Sequence, residues 1–189
     1  MKKKSLALVL ALALMVVGAV GGTLAWLTAK SDVVTNTFTT SDIKVELTET
    51  TGPEYKMIPG YTIHKDPEAK VLAGSEDCFL FVKLDESDNF GTFLTYTMAD
   101  GWTELTGDGI TDKVYYRTVE GNQIGTPYSV LKGNQVTVKG TVTKADMEGL
   151  NKAGATKPTL AITAYASQLY QRDGVKFSAE KAWENIGTK

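Results

Sequence analysis

Beyond residue 40, hydrophobic and polar positions alternate along most of this chain. Ile43, Val45 and Leu47 are separated by Lys44, Glu46 and Thr48, the period of two that turns one row of side chains to a core and the other to water. The run Cys78-Phe79-Leu80-Phe81-Val82 is apolar at successive positions before Lys83, as a strand covered on both faces requires. Thr92 to Met98, Lys113 to Val119, Gln135 to Thr143 and Thr159 to Ser167 are further predicted strands. The 25 threonines of the chain suit pleated surfaces and disfavour long helices.

Turn residues fall between these runs: Pro59-Gly60, Asp100-Gly101, Gly107-Asp108-Gly109, Gly121-Asn122 and Gly133-Asn134. Such spacing predicts an antiparallel sandwich or barrel. Two short helices are expected. One follows Thr143, with Asp146 three residues on; the other runs from Ser178 to Ile186, where Ala179, Ala182, Trp183 and Ile186 recur at helical spacing. Trp183 is therefore expected to be a packing anchor. No internal repeat, low-complexity linker or second domain is visible.

The first 29 residues follow a different pattern. Lys2, Lys3 and Lys4 precede an apolar run from Leu6 to Val20, and small residues follow through Thr23-Leu24-Ala25. These are the basic, apolar and cleavage regions of an export signal. The expected division is a signal peptide over residues 1–25, cut between Ala25 and Trp26, an extended arm over 26–40, and a β-sandwich domain over 41–189. A cut after Ala29 is a second possibility, and retention of the apolar segment as a membrane anchor is the rival reading. Removal of the signal takes three lysines with it, leaving 17 basic against 22 acidic residues. That acidic balance, with no basic run after Lys4, argues against nucleic acid as a partner.

Candidate chemistry is sparse. Cys78 is the one cysteine, so an intramolecular disulfide is excluded, and its apolar surroundings predict a buried, inert thiol. His64 is the one histidine; it cannot supply a His-Glu-x-x-His zinc site, and alternation places it on an exposed strand face. No Gly-x-Ser-x-Gly, Walker loop or Gly-x-Gly-x-x-Gly occurs. The acidic run Asp85-Glu86-Ser87-Asp88-Asn89 has Phe90 where a calcium loop needs glycine, and is expected to be a solvated hairpin loop. Asp108 to Asp112 reads as a glycine turn. The expectation is a non-enzymatic chain with no cofactor and no metal.

The arm carries the strongest functional signal. From Thr23 to Thr51 neither glycine nor proline occurs, so no tight glycine turn folds the first part of this stretch back on the second. Val33, Val34, Thr35, Asn36, Thr37 and Phe38 are β-prone and form the candidate donor strand. A free arm of this kind satisfies its backbone only by adding to a sheet edge, in its own subunit or another's.

Two stretches, Gly22-Thr23-Leu24-Ala25-Trp26-Leu27-Thr28 and Thr37-Phe38-Thr39-Thr40-Ser41-Asp42-Ile43-Lys44-Val45-Glu46-Leu47-Thr48-Glu49, resemble the TasA/camelysin family of exported matrix proteins with its SipW-type signal. Pro59-Gly60 followed by Lys65-Asp66, and the late strand Leu160 to Gln168, are similar to further family elements. The resemblance implies an all-β, antiparallel jelly-roll-like sandwich with one or two short helices, exported by Gram-positive bacteria after cleavage by a SipW-type signal peptidase. It implies a secreted matrix or cell-surface location, with membrane contact only during export. The implied partners are copies of the chain or related matrix subunits, joined into fibres as one subunit's arm completes the next subunit's sheet. Cleavage would then be the switch, because an arm fused to a membrane helix is tethered. The protease activity attached to the camelysin name finds no catalytic centre in a chain with one histidine.

The competing class is a monomeric secreted or surface-associated β-sandwich that binds a carbohydrate or protein, with Trp102, Tyr115, Tyr116 and Tyr128 as candidate contacts.

Overall fold

The computed structural model describes residues 42–187 except Pro53. In chain order its strands are β1 (Val45–Thr48), β2 (Thr62–His64), β3 (Glu68–Val71), β4 (Cys78–Glu86), β5 (Leu94–Thr95), β6 (Thr103–Glu104), β7 (Lys113–Val119), β8 (Pro127–Ser129), β9 (Gln135–Val138) and β10 (Leu160–Gln168). Two short α-helices interrupt the described strands, α1 (Phe90–Phe93) and α2 (Lys144–Leu150), and a third, α3 (Ala179–Glu184), follows β10. The fold is thus mainly β, and every named strand pair is antiparallel.

The strands form three sheets, ordered β1-β3-β8, β10-β4-β7-β6 and β2-β9-β5. The four-stranded sheet is the frame, and β4 is its centre. Even-numbered Cys78, Leu80, Val82 and Leu84 join one core cluster with Ala69 and Val71 of β3 and Val136 and Val138 of β9. Odd-numbered Phe79 and Phe81 join a second cluster with Leu105, Val114, Leu169 and Trp183. The continuous apolar run in the sequence therefore reflects burial on both faces, in a sandwich-like arrangement.

On the second face, Phe81 and Tyr165 meet the Trp183 ring at centroid separations of 5.2 and 5.4 Å. Trp183 is 4% exposed and fixes α3 to the sheet. That helix is only six residues long, so packing rather than propensity holds it. Its start is marked by Ser178, whose Oγ accepts from the Lys181 amide at 3.2 Å. In α2, Thr143 Oγ1 accepts from the Asp146 amide while the Asp146 carboxylate accepts from the Thr143 amide at 2.8 Å. This reciprocal cap is worth on the order of 1 kcal/mol.

Three local expectations need correction. Thr92 to Met98 is not one strand. Phe90 and Phe93, three apart and both buried, form the helical turn α1, leaving only β5 and an isolated bridge from Met98 to Leu131. The strand expected over Gln135 to Thr143 stops at Val138, because the chain turns through Gly140 and Val142 N–H reaches back to Lys139 O at 3.2 Å. Asp85 to Asn89 is not a hairpin loop either. Asp85 and Glu86 finish β4, and the rest leads into α1, with Ser87 Oγ donating to Asn89 Oδ1 at 2.8 Å.

Candidate strand-docking edge

β10 is an edge strand nine residues long, and among the described residues its only strand partner is β4. The direction of its backbone groups follows from the two ends of that ladder. Ser87 N–H donates to Thr159 O at 3.0 Å, and Leu169 N–H donates to Asp77 O at 3.1 Å. In an antiparallel ladder alternate residues bond to the same neighbour. Odd-numbered residues of β10 therefore face β4, while Leu160, Ile162, Ala164, Ala166 and Gln168 direct their N–H and C=O groups away from it.

The side chains have the complementary sense. Leu160, Ile162, Ala164 and Ala166 pack against the first core cluster, and Tyr165 packs against the second. Ala164 and Ala166 are small, so the inner surface beneath this edge carries little bulk there. Towards the Leu160 end, β10 borders a groove of about 580 Å³. Leu47 of β1, Ile63 of β2, Met57 and Phe90 line it together with Leu160 and Ile162. Its walls thus come from outer strands of all three sheets.

The rim of the groove is built by a polar network. Lys65 Nζ donates to both Glu49 oxygens at 2.8 and 2.9 Å, and the Tyr55 hydroxyl donates to the same carboxylate at 2.6 Å. Burial pushes the Glu49 carboxyl up, but its bonds to Lys65, Tyr55 and Thr51 outweigh this and leave it below the usual carboxylate range. Next in sequence to Lys65, Asp66 accepts from the Thr50 hydroxyl, from the Thr50 and Thr51 amides at 3.1 Å each, and from the Thr51 hydroxyl at 3.1 Å. These bonds, that from the Thr50 hydroxyl first, lower its pKa to about 2. The Lys65-Asp66 pair singled out in the sequence therefore holds the segment from Glu49 to Tyr55 along one side of the groove.

The sequence-derived site residues Ala25 and Trp26 of the cleavage site, and Val33, Val34, Thr35, Asn36, Thr37 and Phe38 of the donor strand, lie outside the described residues. Of the four candidate aromatic contacts, Tyr116 packs in the second cluster, whereas Trp102, Tyr115 and Tyr128 pack against the first. His64 is on β2 with 64% of its side chain exposed. Cys78 is buried, and burial, aided by Asp77, pushes its thiol up to about 11, where it is inert at neutral pH. Glu86, in the first acidic run, accepts from Tyr96 and Lys113. Among the described residues, no group of three or more His, Cys, Asp or Glu side chains is placed to hold a metal ion.

The candidate edge itself is only partly legible in the sequence. Strand β10 was predicted, but its edge position and the groove depend on Leu47, Ile63 and Leu160, which are far apart in sequence. No protein-family model, no curated protein and no solved structure matches this chain.

Proposed function

We propose that this chain is a secreted structural matrix subunit of the TasA/camelysin type, a jelly-roll-like sandwich that assembles into extracellular fibres by strand exchange. Residues Val33 to Phe38 of one copy would lie along the free edge of β10 in the next. The observation that carries this reading is that edge: five alternate residues whose amide and carbonyl groups point away from β4 and have no strand partner among the described residues. Such an edge is a template for another strand.

The dimensions agree. Six extended residues span roughly 20 Å, and the nine of β10 span roughly 30 Å. Main-chain hydrogen bonds supply affinity in this mode, and alternate side chains supply register. Val34 and Phe38, two periods apart, would turn inward opposite inward-facing β10 residues that are also four apart, such as Ile162 and Ala166. The contact joins two different surfaces, so it propagates head to tail rather than closing.

The test compares residues 26–189 with residues 41–189 by negative-stain electron microscopy and analytical ultracentrifugation. The longer product is expected to form rods, and the shorter to remain monomeric and folded. Equal monomer content in both over a wide concentration range would contradict the proposal.

A further inference from the structure

Arg117 presents a cation that the strand-exchange reading does not use. It sits in the middle of β7, opposite fully buried Leu80 of β4. Two residues either side, Tyr115 and Val119 share its face and belong to the main core cluster, so its side chain starts from the inner surface of the four-stranded sheet. The guanidinium carbon stands 3.6 Å from the centre of the Tyr128 ring and 5.3 Å from that of Trp102. Trp102 is fixed in turn by its indole N–H, which donates to Ser129 O at 2.9 Å.

Among the described residues, no acid answers this cation. None of the ion pairs among the described residues involves Arg117. Its Nε is sealed from solvent without a hydrogen-bond partner. Burial lowers its pKa, and the only opposing influence is the Tyr128 phenol. The stacked rings already satisfy the flat face of the guanidinium. What stays open to a ligand is the outer Nη1–Nη2 edge of its in-plane N–H donors, which can take a planar carboxylate in a two-point fork. Arg117 is half-buried and, of its nitrogens, Nε alone is sealed without a partner, so the Nη1–Nη2 edge reaches the surface, with Nη2 packed closely beside the exposed Gly101 turn.

We propose that Arg117, with Trp102 and Tyr128, forms a binding site for the carboxylate of an acidic sugar of the hexuronate type. The half-buried rings of Trp102 and Tyr128 give the site an apolar border that the ring of a pyranose can cover, and the fork fixes its carboxylate. A ligand with a single charge fits better than a polyanion, because the chain carries more acidic than basic residues. The site lies on β7 and β8, away from the free edge of β10, so it does not depend on assembly.

The chain has two arginines, Arg117 and Arg172, which makes the test direct. Full-length chain labelled with ¹⁵N-arginine and held in detergent is titrated with glucuronate, glucose and acetate while the two Nε–H signals are followed by NMR. The Arg117 signal is expected to shift with glucuronate, half-saturating at roughly 1 mM or below, with Arg172 unmoved. Acetate should need at least tenfold more, and glucose should give no shift. Arg117→Lys should weaken glucuronate binding at least tenfold, read from the Trp102 indole signal of chain labelled with ¹⁵N-tryptophan. No Arg117 shift with glucuronate, or equal shifts with acetate or glucose, would overturn the proposal, and the wild-type titration decides this even if the variant fails to fold.

Discussion

Lys65 Nζ lies 2.8 Å from one Glu49 carboxylate oxygen and 2.9 Å from the other, and this two-point contact closes one side of the groove beside β10. The side chains are only 13% and 28% exposed, so removing one partner leaves the other poorly hydrated. Glu49→Gln is expected to cost about 1–2 kcal/mol, a value reduced for partial solvent access. Urea denaturation checks the stability, and hydrogen exchange at Thr50 to Tyr55 should quicken in the same variant.

Asp66 gives the fold a defined acid sensitivity. Its folded pKa, about 2, lies below the ordinary 3.8, so the folded state binds this proton less readily than the unfolded chain does. The resulting stabilisation is complete above about pH 4 and is lost as pH falls through about 2. Urea midpoints measured at pH 5 and pH 2.5 should fall further in the wild type than in Asp66→Asn, which should already be weaker at pH 5.

Trp183 tests the outer core separately from the proposed docking edge. Trp183→Ala removes a ring that meets both Phe81 and Tyr165, and is expected to cost about 3–5 kcal/mol in thermal or urea denaturation. Since α3 packs on the face opposite the main core, rods formed below the new melting temperature should look unchanged.

Gly101 is required twice over. Its φ is +88°, and an added Cβ would meet Arg117 Nη2 at 2.9 Å. Gly101→Ala should therefore destabilise by about 1–2 kcal/mol and displace the guanidinium from Tyr128. The ¹⁵Nε–H signal of Arg117 would report that displacement.

Much of this architecture was legible because local pattern and tertiary role agree. The double-sided run at Cys78 announced a central strand, Thr143 with Asp146 announced a helix start, and the spacing of Ala179, Ala182 and Trp183 announced the packed face of α3. Where they disagreed, the reading failed. Thr92 to Met98 is β-prone, but burying Phe90 and Phe93 together needs a helical turn. Arg117 gave one signal, a charge at an inward position of a strand, yet its aromatic neighbours come from the segment before β6 and from β8. The groove was invisible for the same reason: its walls meet only after folding.

The central claim rests on which way the β10 amides point, and a paired proline substitution reads that direction. Thr163 faces β4, so Thr163→Pro removes a ladder hydrogen bond and should lower the unfolding midpoint clearly below that of the wild type. Ala164 faces away, so Ala164→Pro should leave the ladder intact and the unfolding midpoint close to wild type, as proline on an outer edge is tolerated. The decisive measurement is negative-stain microscopy of residues 26–189 carrying Ala164→Pro. The expected result is folded monomer where the wild type forms rods; rods as abundant as those of the wild type would contradict strand docking on β10.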